Sequence, residues 1–147
     1  MRNKVFTKGF TLIEILIVIA ILSILAGIVA PISFDMYTRF SIESERKLFV
    51  ASLREARNSA YANINAQNHG LFINDESYII YEGDNFISRI ESSDYKIRRD
   101  SNIIIEGQND TVFARGTGFT NDASFIFNAY GTTSIIIVTK YGSVEIQ

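Results

Sequence analysis

Hydrophobic positions along the chain fall into three successive patterns. From Ile15 to Ile32 they are almost continuous, broken only by Ser23, Gly27 and Pro31. A run apolar on every face does not suit a helix of a small soluble domain, which needs one wet side. Taken from Phe10 to Ala30, such a helix would rise roughly 30 Å, about one hydrocarbon core. Past Pro31 the pattern becomes amphipathic. Phe34, Tyr37, Phe40 and Ser41 lead to Leu48, Phe49, Leu53, Ala56, Ala60 and Ile64, mostly at spacings of three and four. Glu43, Glu45, Arg46, Lys47, Arg54, Glu55 and Arg57 fill the opposite side, so the spacing predicts a continued helix. Its expected end is Asn68-His69-Gly70, with Gly70 as C-cap and His69 part of the cap.

Beyond Gly70 short β-type runs replace the helical period. Strands are expected at 71–73, 77–82, 85–90, 95–98, 102–106, 111–114, 124–128, 134–139 and 143–146. Turn residues at Asn74-Asp75, Gly83-Asp84, Gly107-Gln108-Asn109-Asp110 and Tyr141-Gly142 separate most of them. Tyr141-Gly142 reads as a closing hairpin. The predicted fold class is α+β: a long N-terminal helix packed against a C-terminal antiparallel β-sheet domain.

Charge and composition narrow the function classes. Arg2, Lys4 and Lys8 precede the apolar run, which orients that end to the cytoplasm and the rest outward. The remainder is mildly acidic, and nucleic acid is not an expected main partner. The one basic cluster, Lys96, Arg98 and Arg99, is surrounded by Glu91, Asp94 and Asp100. The chain has no cysteine and one histidine, which excludes disulfides and thiolate metal sites. No nucleophile lies in a recognisable catalytic setting, so no catalytic residues, no metal, no cofactor and no small-molecule substrate are expected. Asp75, Glu76, Asp84 and Asp110 lack the regular oxygen spacing of a calcium loop. Tyr78, Tyr81, Tyr95, Tyr130 and Tyr141 suit either core edges or a contact surface.

One residue breaks the apolar pattern. Glu14 stands almost at the mouth of the run, where an unpaired carboxylate in hydrocarbon costs a few kcal/mol or more. A cleaved secretory signal does not explain it, and no Ala-x-Ala site closes the apolar run, where Ile28-Val29-Ala30 before Pro31 is a poor substitute. A plain signal anchor explains the length and the charges but not Glu14.

Gly9-Phe10-Thr11-Leu12-Ile13-Glu14 ahead of an apolar helix resembles the cleavage and methylation signature of type IV prepilins and type II secretion pseudopilins. The resemblance implies that a prepilin peptidase cuts between Gly9 and Phe10 and that the new amino group of Phe10 is methylated. It implies that Glu14 pairs with its own or a neighbour's amino terminus and sets the register of assembly. Pro31 also matches the family pattern; with Gly27 one turn earlier it marks a possible kink or melted turn. The organisation then expected is a cytoplasmic leader at 1–9, a transmembrane helix at 10–30, its amphipathic continuation at 31–69 and a β head at 70–147.

Two looser stretches resemble the minor pseudopilin subgroup. Phe49 to Ala60 is similar to its L-x-x-A-R-x-x-A helix, placing Arg57, and Val112 to Thr117 to its F-x-x-R-G-T strand, placing Arg115 and Gly116. Val112 departs from the latter pattern. Each of these positions also suits an ordinary helix surface or strand end. What the resemblance implies is a single-pass inner-membrane subunit with an outward head, incorporated into a periplasmic or surface filament. Its partners would be other pilin or pseudopilin subunits, the prepilin peptidase and the inner-membrane assembly platform. DNA enters only if the filament serves competence. A minor, initiating subunit is the expectation; a major pilin and an uncleaved anchor carrying a binding domain are the alternatives.

Overall fold

The computed structural model describes residues 9–129 and 131–147, and within its helix the side chains of 28–35 are not described. The chain divides into two compact units, Met1–Arg39 and Phe40–Gln147.

Helix α1 runs from Leu12 to Tyr61. In the first unit, every described side chain of α1 from Leu12 to Gly27 is exposed. In the second, the same helix buries one stripe. Phe49, Leu53, Ala56 and Ala60 are fully buried, at the spacings of four, three and four that keep one face inward.

The helix stops at Tyr61, short of the expected end near His69. Asn63, Asn65 and Ala66 take positive φ, and asparagine is the residue after glycine that best tolerates this left-handed region. Residues 64–66 form a single 3-10 turn. His69 is not a cap residue. It opens strand β1 (His69–Ile73), which pairs antiparallel with β2 (Ser77–Glu82).

The remaining strands are β3 (Tyr95–Arg98), β4 (Ile104–Gly107), β5 (Asp110–Phe113), β6 (Ala123–Ala129), β7 (Thr132–Val138) and β8 (Val144–Ile146). They form two antiparallel sheets, A in the order β3-β2-β1-β5 and B in the order β4-β6-β7-β8. The fold class is therefore the expected α+β arrangement. Phe49 joins the layers: its ring meets Phe125 and Phe127 of sheet B and Tyr78 of sheet A at centroid distances of 4.9, 5.2 and 5.3 Å. Tilted and edge-on pairs of this kind add to ordinary area burial.

The expected strand at 85–90 is absent. Side chains there bind locally instead. The Ser88 N–H donates to Asn85 Oδ1 (2.9 Å), and Arg89 donates to the Phe86 carbonyl (2.8 Å) and to Asp94 (3.0 Å). Such bonds compete with a sheet ladder. Phe86 stacks on Phe72 at 3.6 Å, and Arg89 caps the other side of the Phe86 ring at 3.9 Å.

Candidate functional site

The N-terminal site starts with the helix geometry of Thr11-Leu12-Ile13-Glu14. Thr11 precedes the first helical residue and Glu14 lies three later, the spacing of a capping box. The structure makes both bonds. The Glu14 N–H donates to Thr11 Oγ1 (3.3 Å), and the Thr11 N–H donates to Glu14 Oε2 (3.4 Å). The Glu14 N–H is shared with the Thr11 carbonyl at 3.1 Å, the Thr11 N–H gains a side-chain acceptor, and the carboxylate sits at the end of the helix where its charge is favoured. Glu14 is thereby turned back toward the Phe10–Thr11 bond, one residue from the expected new terminus.

The apolar run that follows is open on every side. Phe10, Leu12, Ile13, Leu16 and Ile24 are each more than half exposed. Ser23 donates its hydroxyl to the Ile19 carbonyl at 2.8 Å, which leaves that side chain no free donor. Among the described residues, no helix is long and apolar enough to cross a membrane. The expected segment 10–30 extends past Gly27 into residues whose side chains are not described, and Pro31 is among them. The leader lies outside the described residues apart from Gly9.

Residues 7–30 match the family model of the prokaryotic N-terminal methylation motif. The N-terminus thus carries a prepilin-type motif. It covers Gly9, Phe10 and Glu14 and ends before Pro31. No curated protein and no solved structure matches the chain.

Residues from the looser resemblances meet around the end of α1. The Gly116 N–H donates to the Ala60 carbonyl (2.7 Å), which also accepts from the Asn63 N–H (3.0 Å) at the helix C-terminus. Arg115 donates its main-chain N–H to Asn68 Oδ1 and a guanidinium N–H to the Ala66 carbonyl, both at 2.8 Å. Arg57 does not touch this pair. Its guanidinium donates to the Tyr141 carbonyl at 3.3 Å, and its stem lies against Gly118 and Gly142. Gly142 has φ +74°, and a Cβ there would come within 2.4 Å of the Gly118 carbonyl oxygen. The three residues therefore fasten the helix end to the loop after β5 and to the closing β7–β8 turn.

Other candidates resolve into structural contacts. His69 is buried with Nε2 3.7 Å from Glu82 Oε1. Arg99 is buried and donates to the carbonyls of Asn74 (2.9 Å) and Ile103, so only Lys96 and Arg98 of the basic cluster are exposed. Asp110 accepts from the Tyr81 hydroxyl and from the Phe86 N–H (3.1 Å). Asp84 accepts from Asn68 Nδ2 at 2.8 Å. Among the described residues, no group of three or more potential metal ligands occurs.

Sequence reasoning missed Glu45. It was placed on the wet side, yet it is buried, accepting from the Tyr78 hydroxyl (2.5 Å) and the Asp100 N–H (3.2 Å). The helical position of Glu45, four before Phe49, was the available signal. Burial, followed by the bond to Glu45, pushes the Tyr78 phenol well above its ordinary value, and burial with the Asp110 bond does the same for Tyr81. The Asn102 N–H, then the Ser41 hydroxyl, holds the Asp100 carboxyl below its usual range despite partial burial.

Proposed function

We propose that this chain is a membrane-inserted prepilin that matures into a structural subunit of a type IV pilus or type II secretion-like filament. The observation that carries the reading is the methylation motif at residues 7–30, placed over a helix start whose only carboxylate is held back toward Phe10. In this reading the leader 1–9 is removed between Gly9 and Phe10, residues 10–30 span the inner membrane, and residues 31–147 follow on the outer side. The freed amino group of Phe10 becomes a cation one residue from the bond that Glu14 now accepts. In a bundle of such helices the carboxylate can exchange the Thr11 N–H for a neighbour's amine, a charge-assisted and stronger bond. The partners are other subunits, the prepilin peptidase and the assembly platform. The head works by binding, and the packing of Arg57, Arg115 and Gly116 at the helix end is its scaffold. A minor, initiating role is the finer assignment, supported by the loosely matching stretches that carry those three residues.

The test is the intact mass and N-terminal sequence of the protein from its own host's membrane, with and without the prepilin peptidase. A chain beginning at methylated Phe10 only when the peptidase is present is the expected result. A chain that still begins at Met1 in the intact host overturns the filament reading. Recovery as the bulk protein of sheared filaments would replace the minor role by a major one.

A further inference from the structure

Sheet A ends at β3 and sheet B at β8, so each strand keeps one unpaired edge. Main-chain alternation shows which residues face outward. The Arg99 N–H donates to the Glu76 carbonyl, so Tyr95 and Ile97 turn their main-chain groups to β2, and Lys96 and Arg98 turn theirs away. In β8, Gln147 exchanges both bonds with Ile135. Glu145 therefore faces β7, leaving Val144 and Ile146 with free main-chain groups.

The side chains of the two edges are complementary. Tyr95 and Ile97 lie on the α1 side of sheet A, at the mouth of a groove of about 540 Å³ whose other walls include Leu48, Ala51, Ser52 and Ile80. Lys96 and Arg98 lie on the opposite face, exposed and without an ion pair among the described residues. On β8 the faces are set by register. Val144 and Ile146 stand opposite the fully buried Val138 and Ile136, and Glu145 opposite Ile137. Val144 and Ile146 thus share the core side, with Ile146 47% exposed. Glu145 is exposed on the outer side and also lacks an ion pair among the described residues.

From these edges we infer that β8 of one copy adds parallel to β3 of a second copy. In a parallel ladder a residue whose main-chain groups reach across lies beside one whose groups point away. Lys96 then falls beside Glu145 on the outer face, with Arg98 diagonal to it. Tyr95 falls beside Val144 and Ile97 beside Ile146, whose side chain enters the groove. Antiparallel addition would instead set Glu145 over the groove and the aliphatic pair among the cations. Because β3 and β8 are different patches, the contact is heterologous. Each copy can offer β8 to one neighbour and β3 to another, so the contact propagates. Strands of three and four residues make too small an interface for a stable dimer in dilute solution. The inference rests on the filament reading, which supplies aligned, concentrated copies.

The chain has no cysteine, so Lys96→Cys with Glu145→Cys in the full chain tests the pairing in the host. Adjacent strands are about 4.8 Å apart, within the Cα separation a disulfide bridges. Mild oxidation should yield a ladder of dimers and higher multiples on non-reducing gels, and the offset pair Lys96→Cys with Ser143→Cys should yield little. A double variant that is present in the sheared filament fraction but gives no ladder overturns the pairing while leaving the filament reading standing. If the double variant is not recovered there, charge reversal decides. Glu145→Lys should lower recovery in the filament fraction, and adding Lys96→Glu and Arg98→Glu should restore it; no restoration overturns the pairing. The N-terminus and filament content of the unaltered chain report separately on the filament reading.

Discussion

Two stretches of α1 obey the same helical geometry and end in opposite surroundings. From Leu12 to Gly27 every side chain is exposed, although nearly all are aliphatic. From Phe40 to Tyr61 one stripe is buried against the two sheets and the rest is wet. Propensity does not separate them, since Leu and Ala favour a helix in either place. What separates them is where the apolar area finds a partner. The second stretch finds it within its own chain. The first leaves its aliphatic side chains exposed among the described residues, a surface of the kind that the proposed membrane and filament contacts would cover.

Substitutions can sharpen this contrast by striking one stretch while the other is watched. The largest loss of head stability should follow Phe49→Ala, about 3–5 kcal/mol, because a buried ring shared by both sheets is replaced by a cavity. Denaturant unfolding of the detergent-solubilised chain measures it, and cleavage at Gly9–Phe10 should be unchanged. Next comes Tyr78→Phe, which strands one oxygen of buried Glu45 and should cost about 1–3 kcal/mol by the same assay.

Alkaline pH attacks the same interior. Tyr78 and Tyr81 have phenols raised in the folded state above the ordinary 10.0. Their contribution is fully present below that value and is lost as pH climbs above it toward the folded values. Each should remove about 1.4 kcal/mol per pH unit in that window. Asp100 works in the other direction: its lowered carboxyl stabilises at neutral pH and stops doing so as pH falls through the folded value. Melting curves across pH should show both limbs, with the alkaline one steeper and weakened in Tyr81→Phe.

The smallest effect on the head should come from Glu14→Ala. It removes the capping box, worth roughly 1 kcal/mol at the helix start, and should leave head unfolding within about 0.5 kcal/mol. Filament incorporation, measured in sheared material, should nevertheless fall. A head destabilised by several kcal/mol in Glu14→Ala would show that the two stretches are not independent.

Much of this architecture was legible from periodicity. Eight of the nine expected strands lie where alternation and turn residues placed them, because β-type runs bounded by Gly, Asn and Asp leave few other options. The strand at 85–90 was illegible because Arg89, Phe86 and Asp94 make a local cluster that no period reveals. The helix end was misplaced because Gly70 looked like a cap. Gly70 instead makes room in β1 for the Tyr81 ring, which a Cβ would meet at 2.3 Å, a requirement set by a partner strand. The N-terminal motif was readable because it is contiguous, within residues 7–30. The Thr11–Glu14 capping box inside it was not expected, since Glu14 was paired with an amino terminus instead. The grouping of Arg57 with Gly118 and Gly142 depends on a loop about sixty residues away and a turn farther still, which spacing cannot report.

The bond from the Gly116 N–H to the Ala60 carbonyl has a mechanical consequence. A pull applied along α1 toward its N-terminus is resisted at the far end by this bond and by the Arg57 link to Tyr141, and about four turns earlier by the Glu45–Tyr78 bond. Tension is thereby shared between both sheets before any strand pair is opened.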